Sequence, residues 1–250
     1  MTEEEPAAPR AVLDLGGVER VMVFGAHPDD EIIGPGGLIH RLHREGREVH
    51  VVTFTCGETA AQDEGEMEAM AARRKEEMRE ADELLGVSCR HILAIASQHV
   101  YQAVFHDNTL HHDLIRLLRQ VRPQMLLTHS ADNHRDHCAI ATISPQAAFQ
   151  AAEGILESLG DPWRTELVLC YGVESAPEAP NVVADIWPED LEAKLAALRA
   201  QLSQVRAGYL ERLEWMVRSR AELWGARCGG AGSYAEAFHL DSSHPLRIGA

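Results

Sequence analysis

The chain has 250 residues, 45% of them apolar and 25% charged, with a formal charge of −16. This size and balance fit one globular domain with a substantial core, and the acidic excess excludes a nucleic-acid or anionic-membrane surface. The densest basic run, Arg73-Arg74-Lys75, is followed at once by Glu76-Glu77 and reads as a charged helix face.

Residues 1–12 read as a disordered acidic tail and 13–250 as a single domain. A buried strand is predicted over 21–24, then a helix over about 36–46, a strand over 49–54 and a helix over 65–85. A strand follows within 91–96, a helix over 108–121, a strand over 125–128 and a helix over 137–159. Two more strands are expected at 167–171 and 182–186. From Pro188 to about Trp224 the pattern is one long or kinked helix, with Pro188, Glu189 and Asp190 suited to its first turn. A Gly-rich stretch (Gly229, Gly230, Gly232) then leads into a short ordered segment at 234–238. Strands spaced by helices imply β-α-β units, hence an α/β fold with a mainly parallel sheet. No G-x-G-x-x-G follows the first strand, which counts against a dinucleotide site.

The five cysteines, Cys56, Cys89, Cys138, Cys170 and Cys228, form no C-x-x-C pair. That argues against a disulfide framework and a thiolate zinc knuckle. The start carries no signal-peptide pattern and no apolar run reaches membrane-span length. A reduced, cytoplasmic compartment is the expectation.

Two polar clusters carry chemistry. Ala26-His27-Pro28-Asp29-Asp30-Glu31 directly follows the first strand, and ligands of open α/β sheets bind just beyond strand carboxyl ends. An imidazole and a carboxylate at this spacing can reach one metal ion. Adjacent Asp29 and Asp30 point in different directions, so one can ligate while the other faces the reaction. The plain alternative is that either aspartate caps the next helix. Gly34-Pro35-Gly36-Gly37 then allows close backbone approach.

The second cluster, Thr128 to His137, follows the fourth strand and falls at the same sheet edge if the sheet is parallel. His134 and His137 share a helix face, and either can complete a site of two histidines and one carboxylate. Such a set leaves positions open for water and substrate, as catalytic zinc requires, although non-haem Fe(II) also uses it. Taken alone, this segment also reads as a polar loop and capped helix start.

The A-H-P-D-D-E motif at 26–31 and the D-x-H-x-D-H motif at Asp132, His134, Asp136 and His137 resemble the PIG-L/LmbE-like family of zinc-dependent de-N-acetylases. Weaker similarities extend the resemblance through 53–58, Arg74 with Glu77, 85–87, 194–204 and 234–238. It implies an LmbE-like, Rossmann-like sheet with helices on both faces. It further implies His27, Asp30 and His137 as ligands of one Zn²⁺ (Fe²⁺ also fits), and Asp29 as general base. His134 would protonate or stabilise the tetrahedral intermediate, with Asp136 orienting it and raising its pKa. Arg74 matches a substrate-contact position, and Glu58 is a second candidate for binding sugar hydroxyls. Asp132 carries no assigned role.

The substrate class implied is a small N-acetylated sugar, such as an N-acetylglucosamine derivative, or a glycoside carrying one; a homo-oligomer is compatible with the family. Where many relatives carry an acidic-glycine turn, this chain reads Ser97-Gln98-His99-Val100-Tyr101, a segment expected at the substrate opening. His129 is a candidate supporting residue, Cys56 a buried structural thiol, and His106, His111, His112, His239 and His244 are expected to be surface or packing residues. Two alternatives stand beside the deacetylase. A phosphoesterase would want more carboxylates for two metals, and a non-catalytic sugar- or nucleotide-binding module with a vestigial metal site would have no use for Asp29 or His134.

Overall fold

In the computed structural model the β-branched runs pair into a single eight-stranded sheet. The structure describes residues 11–106, 108–177, 180–204, 209–228 and 234–241. In chain order the elements are β1 (Ala11–Val12), β2 (Arg20–Gly25), α1 (Asp30–Ile33), α2 (Gly36–Arg44), β3 (Glu48–Thr55), α3 (Met67–Leu85), β4 (Cys89–Ile95), α4 (Val100–His106), α5 (Thr109–Val121), β5 (Met125–His129), α6 (Arg135–Ala151), β6 (Leu167–Tyr171), β7 (Val182–Ile186), α7 (Pro188–Arg199), α8 (Tyr209–Cys228) and β8 (Tyr234–Leu240). The strand order is β1-β7-β8-β6-β5-β2-β3-β4. Among the described residues only β8 is antiparallel, to β6 and to β7; the other pairings are parallel.

Alternation along the strands splits the core into two layers. Val21, Val23, Val49, Val51, Leu127 and Leu169 face a layer that includes Leu38, Leu42, Ala81, Leu195 and Val217 from α2, α3, α7 and α8. Met22, Phe24, Val52, Leu126 and Val168 face the opposite layer, where Leu114, Leu118, Ile140 and Ile143 of α5 and α6 pack. Both faces of the sheet are therefore covered by helices, as expected.

Three expectations need correction, and a fourth is borne out and extended. Ala11 and Val12, placed in the tail, pair with Val182 and Val183 and extend the sheet edge. The helix expected over 137–159 ends at Ala151. There the buried Arg119 guanidinium collects the carbonyls of Gln150, Ala151, Glu153, Ile155, Leu156 and Gly160, supplying donors to oxygens that a helix terminus leaves open. The long helix over 188–224 is two helices, α7 and α8, with a 3-10 turn at Leu202–Gln204 after α7. The segment at 234–238 is a full strand inserted between β6 and β7. The start through Arg10, the glycines at 229, 230 and 232, and His244 lie outside the described residues.

The chain builds β2, β3 and β4 outward in one direction, then returns to place β5 and β6 on the other side of β2. The carboxyl ends of β2 and β5 thus flank a topological switch point, where α/β sheets bind ligands. Both polar clusters leave from these two ends.

Candidate active site

The 26–31 motif is held from behind. Tyr171 at the end of β6 donates its hydroxyl proton to the Phe24 carbonyl at 2.6 Å, and its ring closes on Gly34. A Cβ at Gly34 would stand 2.2 Å from that ring, so only glycine fits. Glu236 of β8 accepts from the backbone N–H groups of Gly37 and Leu38, at 2.9 and 2.8 Å. Lys194 of α7 joins Glu236 at 2.5 Å and donates to the Gly34 carbonyl at 2.7 Å. Glu31, wholly buried, is met by Arg90 of β4 at 2.7 Å, and Arg90 also grips Asp82.

On this support His27, Asp30, His134, Asp136 and His137 come together. The Oδ2 of Asp30 accepts the His27 backbone N–H at 2.8 Å. It lies 3.4 Å from His27 Nδ1, 3.4 Å from His129 Nε2 and 3.5 Å from His137 Nε2. The His27 ring centroid is 4.6 Å from that of His134 and 5.4 Å from that of His137. One carboxylate oxygen among three imidazoles is a charge arrangement that calls for a cation.

The protonation equilibria say the same. Burial opposes charge on His27, but the Asp136 and Asp30 carboxylates outweigh it and raise its pKa to about 10. Burial likewise opposes charge on His137, while Asp30 and Asp132 raise it to about 9. Burial pushes Asp30 up, yet the surrounding histidines hold it well below the usual carboxylate range.

Hydrogen bonding shows which donors are free for a metal. His129 Nε2 already accepts the Ala26 N–H at 3.0 Å, and burial lowers its pKa; it props the motif. His134, the N-cap of α6, accepts the Asp136 N–H on Nδ1 at 3.2 Å, which leaves its Nε2 the hydrogen-bearing atom of a neutral ring. The Nε2 atoms of His27 and His137 are buried and without hydrogen-bond partners. Two orphaned imidazole nitrogens near an ionised carboxylate fit a divalent ion; among the described residues the donors that converge within 4.8 Å of one another here are His27, His134 and His137, and Asp30, His129 and His137, so the set implied by the resemblance, His27, Asp30 and His137, draws on both groups.

Several expected roles shift. The Asp136 carboxylate does not reach His134: its Oδ2 lies 3.4 Å from His27 Nε2 and accepts the Gln98 N–H at 3.0 Å. Asp136 does raise the His134 pKa, but burial and the His27 and His137 charges win, and the net shift is downward. Asp132, which had no role, accepts from His137 Nδ1 at 2.7 Å and from the His134 backbone N–H at 2.7 Å. It sets the His137 tautomer and ring orientation. Glu58 does not line the site cavity; its two oxygens take the N–H and hydroxyl of Ser97. It anchors the loop carrying Gln98, whose φ of 68° lies in the left-handed region.

Asp29 and Arg74 do face the cavity. Arg74 Nη2 lies 3.3 Å from Asp29 Oδ2 and donates to the Pro28 carbonyl at 2.8 Å. Gly57, at φ 66°, lets the guanidinium pass: a Cβ there would sit 2.9 Å from Arg74 Nε. The cavity measures about 490 Å³ and is also lined by Gln98, Glu174, Ser203, Tyr209 and Arg212, a volume within the range of small-molecule sites. Glu174, Tyr209 and Arg212 escaped sequence reading because no local motif marks them; Glu174 comes with the segment after β6, and Tyr209 and Arg212 come with α8.

The fold and this cluster define a class: an α/β protein with a histidine–carboxylate centre, suited to a metal ion, at the switch point of its sheet. The family model of GlcNAc-PI de-N-acetylases, PIG-L, matches residues 22–148, just over half of the 250 residues, and the chain belongs to that family. It is 29% identical to the 1D-myo-inositol 2-acetamido-2-deoxy-alpha-D-glucopyranoside deacetylase of Streptomyces scabiei, over 65% of this chain and 59% of the relative, so it spans less than two thirds of that protein's length. It is 27% identical to diacetylchitobiose deacetylase of Thermococcus kodakarensis, over 85% of this chain and 80% of the relative. Among solved structures, N,N'-diacetylchitobiose deacetylase from Pyrococcus horikoshii has the same fold, with a TM-score of 0.79 at 24% identity, covering 94% of this chain and 89% of that one. Among the described residues, no helix is long and apolar enough to cross a membrane.

Proposed function

We propose that this protein hydrolyses the N-acetyl group of an amino sugar, or of a glycoside carrying one, using one zinc ion held by His27, Asp30 and His137. The observation that carries this reading is the Asp30 oxygen within 3.5 Å of three imidazole nitrogens, beside the unpartnered Nε2 atoms of His27 and His137. Membership of a de-N-acetylase family supports amide cleavage over phosphoester cleavage, and the named activities of the two relatives support a sugar substrate. When bound, the ion supplies a Lewis acid that acidifies water and polarises the amide carbonyl.

The side chains divide the remaining work. Asp29 faces the cavity and takes the proton from the attacking water as general base. The Arg74 guanidinium, 3.3 Å away, fixes that carboxylate and presents further N–H groups to sugar hydroxyls. His134 donates Nε2–H to the developing oxyanion from a neutral ring, held in that tautomer by the Asp136 backbone N–H. Asp132 holds His137, and Gln98 steadies Asp136. The proton taken by Asp29 passes to the departing amine.

The test is acetate and free-amine release from N-acetylglucosamine derivatives by wild type and Asp29→Ala. We expect Asp29→Ala to keep zinc and lose about 10²–10⁴-fold in kcat, whereas His137→Ala loses one equivalent of metal. Unchanged turnover in Asp29→Ala would remove it as the base. Phosphate release from a phosphoester, with no acetate from any acetylated sugar, would overturn the reading as a whole.

A further inference from the structure

A second group of metal-ligating side chains lies at the far end of the sheet. β3 and β4 pair in parallel with His50 opposite Cys89 and Val52 opposite His91. Strand alternation puts His50, Cys89 and His91 on one sheet face. His50 precedes Thr55 by five residues, so the group stands about 17 Å from the catalytic edge at roughly 3.3 Å per residue. The two imidazole nitrogens and the thiol sulfur all lie within 4.8 Å of one another.

The hydrogen bonds prepare these donors for an ion. Glu48 Oε1 lies 2.9 Å from His50 Nε2. A carboxylate only accepts, so the proton sits on Nε2 and the Nδ1 lone pair is turned inward. A carboxylate behind a ligating imidazole is the usual outer support of a metal site. His50 Nδ1 is 3.2 Å from His91 Nε2, with the rings 13° from parallel. Two nitrogens bound at about 2.0–2.1 Å to one tetrahedral zinc stand roughly 3.3 Å apart. The observed spacing is already that of two ligands on one ion.

We propose that His50, Cys89 and His91 form a second divalent-metal site, of the zinc class, separate from the catalytic centre and with one coordination position open. On binding, the Cys89 thiol loses its proton to solvent and His91 moves its proton from Nε2 to Nδ1, freeing Nε2 to ligate. One thiolate and two imidazoles select zinc over calcium or magnesium, which prefer oxygen ligands. The open position faces a groove of about 470 Å³ that Arg20, Gln120 and Arg122 also line, so water or a small anion can fill it. β4 is the edge strand and Cys89 is exposed, so the ion needs no opening motion to enter.

Cobalt(II) titration of the metal-stripped full chain tests this independently of the catalytic assignment, because thiolate-to-cobalt charge transfer absorbs only when sulfur is a ligand. The expected result is a cobalt equivalent carrying that band. It is lost in Cys89→Ser and His91→Ala, retained in His137→Ala, and bound about 10–100-fold more weakly in Glu48→Ala. Cys89 is exposed, so Cys89→Ser keeps the fold and the test does not rest on a buried substitution. Absence of the band at saturating cobalt, or its survival in Cys89→Ser, overturns the proposal.

Discussion

Asp30 organises the site at the level of single residues. Its Oδ2 faces a backbone N–H and three imidazoles at once, and two of these, His27 and His137, are drawn toward the charged form. This has a consequence for pH. The folded-state pKa values of His27 and His137, about 10 and about 9, exceed the unfolded imidazole value of 6.5. In metal-free protein their contribution to stability is fully present below pH 6.5 and lost as pH rises through about 9 to 10. A bound ion replaces both protons, and the dependence disappears. Urea midpoints should therefore fall between pH 7 and about 10 for the stripped protein and stay level for the loaded one. Equal slopes in the two forms would show that these histidines do not meet the ion. Spacing marked His27 and Asp30, three residues apart just after a strand, as candidates and left His134 and His137 open after β5; the choice of His137 came from the family resemblance. The partners of Asp132 and Asp136 were not legible in the sequence. Asp132 lies in the loop and Asp136 in the first turn of α6, and the backbone path between them, which spacing does not encode, gave Asp132 the orienting role and turned Asp136 to His27.

At the level of elements, the junction of α1 and α2 at residues 34–38 is the joint between chemistry and scaffold. Its carbonyl at Gly34 is held by Lys194 and its N–H groups at Gly37 and Leu38 by Glu236, so α2 starts on a carboxylate brought by β8. The two partners are not equivalent. Without Lys194, Glu236 still has two backbone donors. Without Glu236, a wholly buried ammonium keeps one carbonyl, and the start of α2 loses both of its acceptors. Glu236→Ala should thus cost about 3–5 kcal/mol by urea unfolding, and Lys194→Ala clearly less. The reverse order would mean that the ammonium, not the helix start, is the critical group. Sequence patterning found six strands here and the helices α2, α3 and α5, since continuous apolar runs and amphipathic stretches mark them. It overran α6 because the stop is made by Arg119, a residue of α5 more than thirty positions away. It ran α7 into α8 because the 3-10 turn at 202–204 carries no proline or glycine to mark the break.

Across the whole molecule, the proposed ligands come from opposite sides of the switch point, His27 and Asp30 from the end of β2 and His137 from the helix after β5. An ion bound there joins the two halves of the sheet and binds the folded chain alone, since the unfolded chain does not hold the three donors together. At a free concentration 100 times its dissociation constant, such a ligand adds about 2.7 kcal/mol. For a domain of this size, each kcal/mol moves Tm by about 2–4 °C. Stripping the catalytic ion should then lower Tm by about 5–10 °C. The Cys89→Ser variant is the right background, because the site at His50, Cys89 and His91 would add its own increment in wild type. In that background a chelator should shift Tm by this amount, zinc should restore it, and His137→Ala should show neither effect. A chelator-insensitive Tm would mean that the carboxylate and histidines at the switch point satisfy one another without an ion, and the cluster would then be a structural clasp rather than a metal centre.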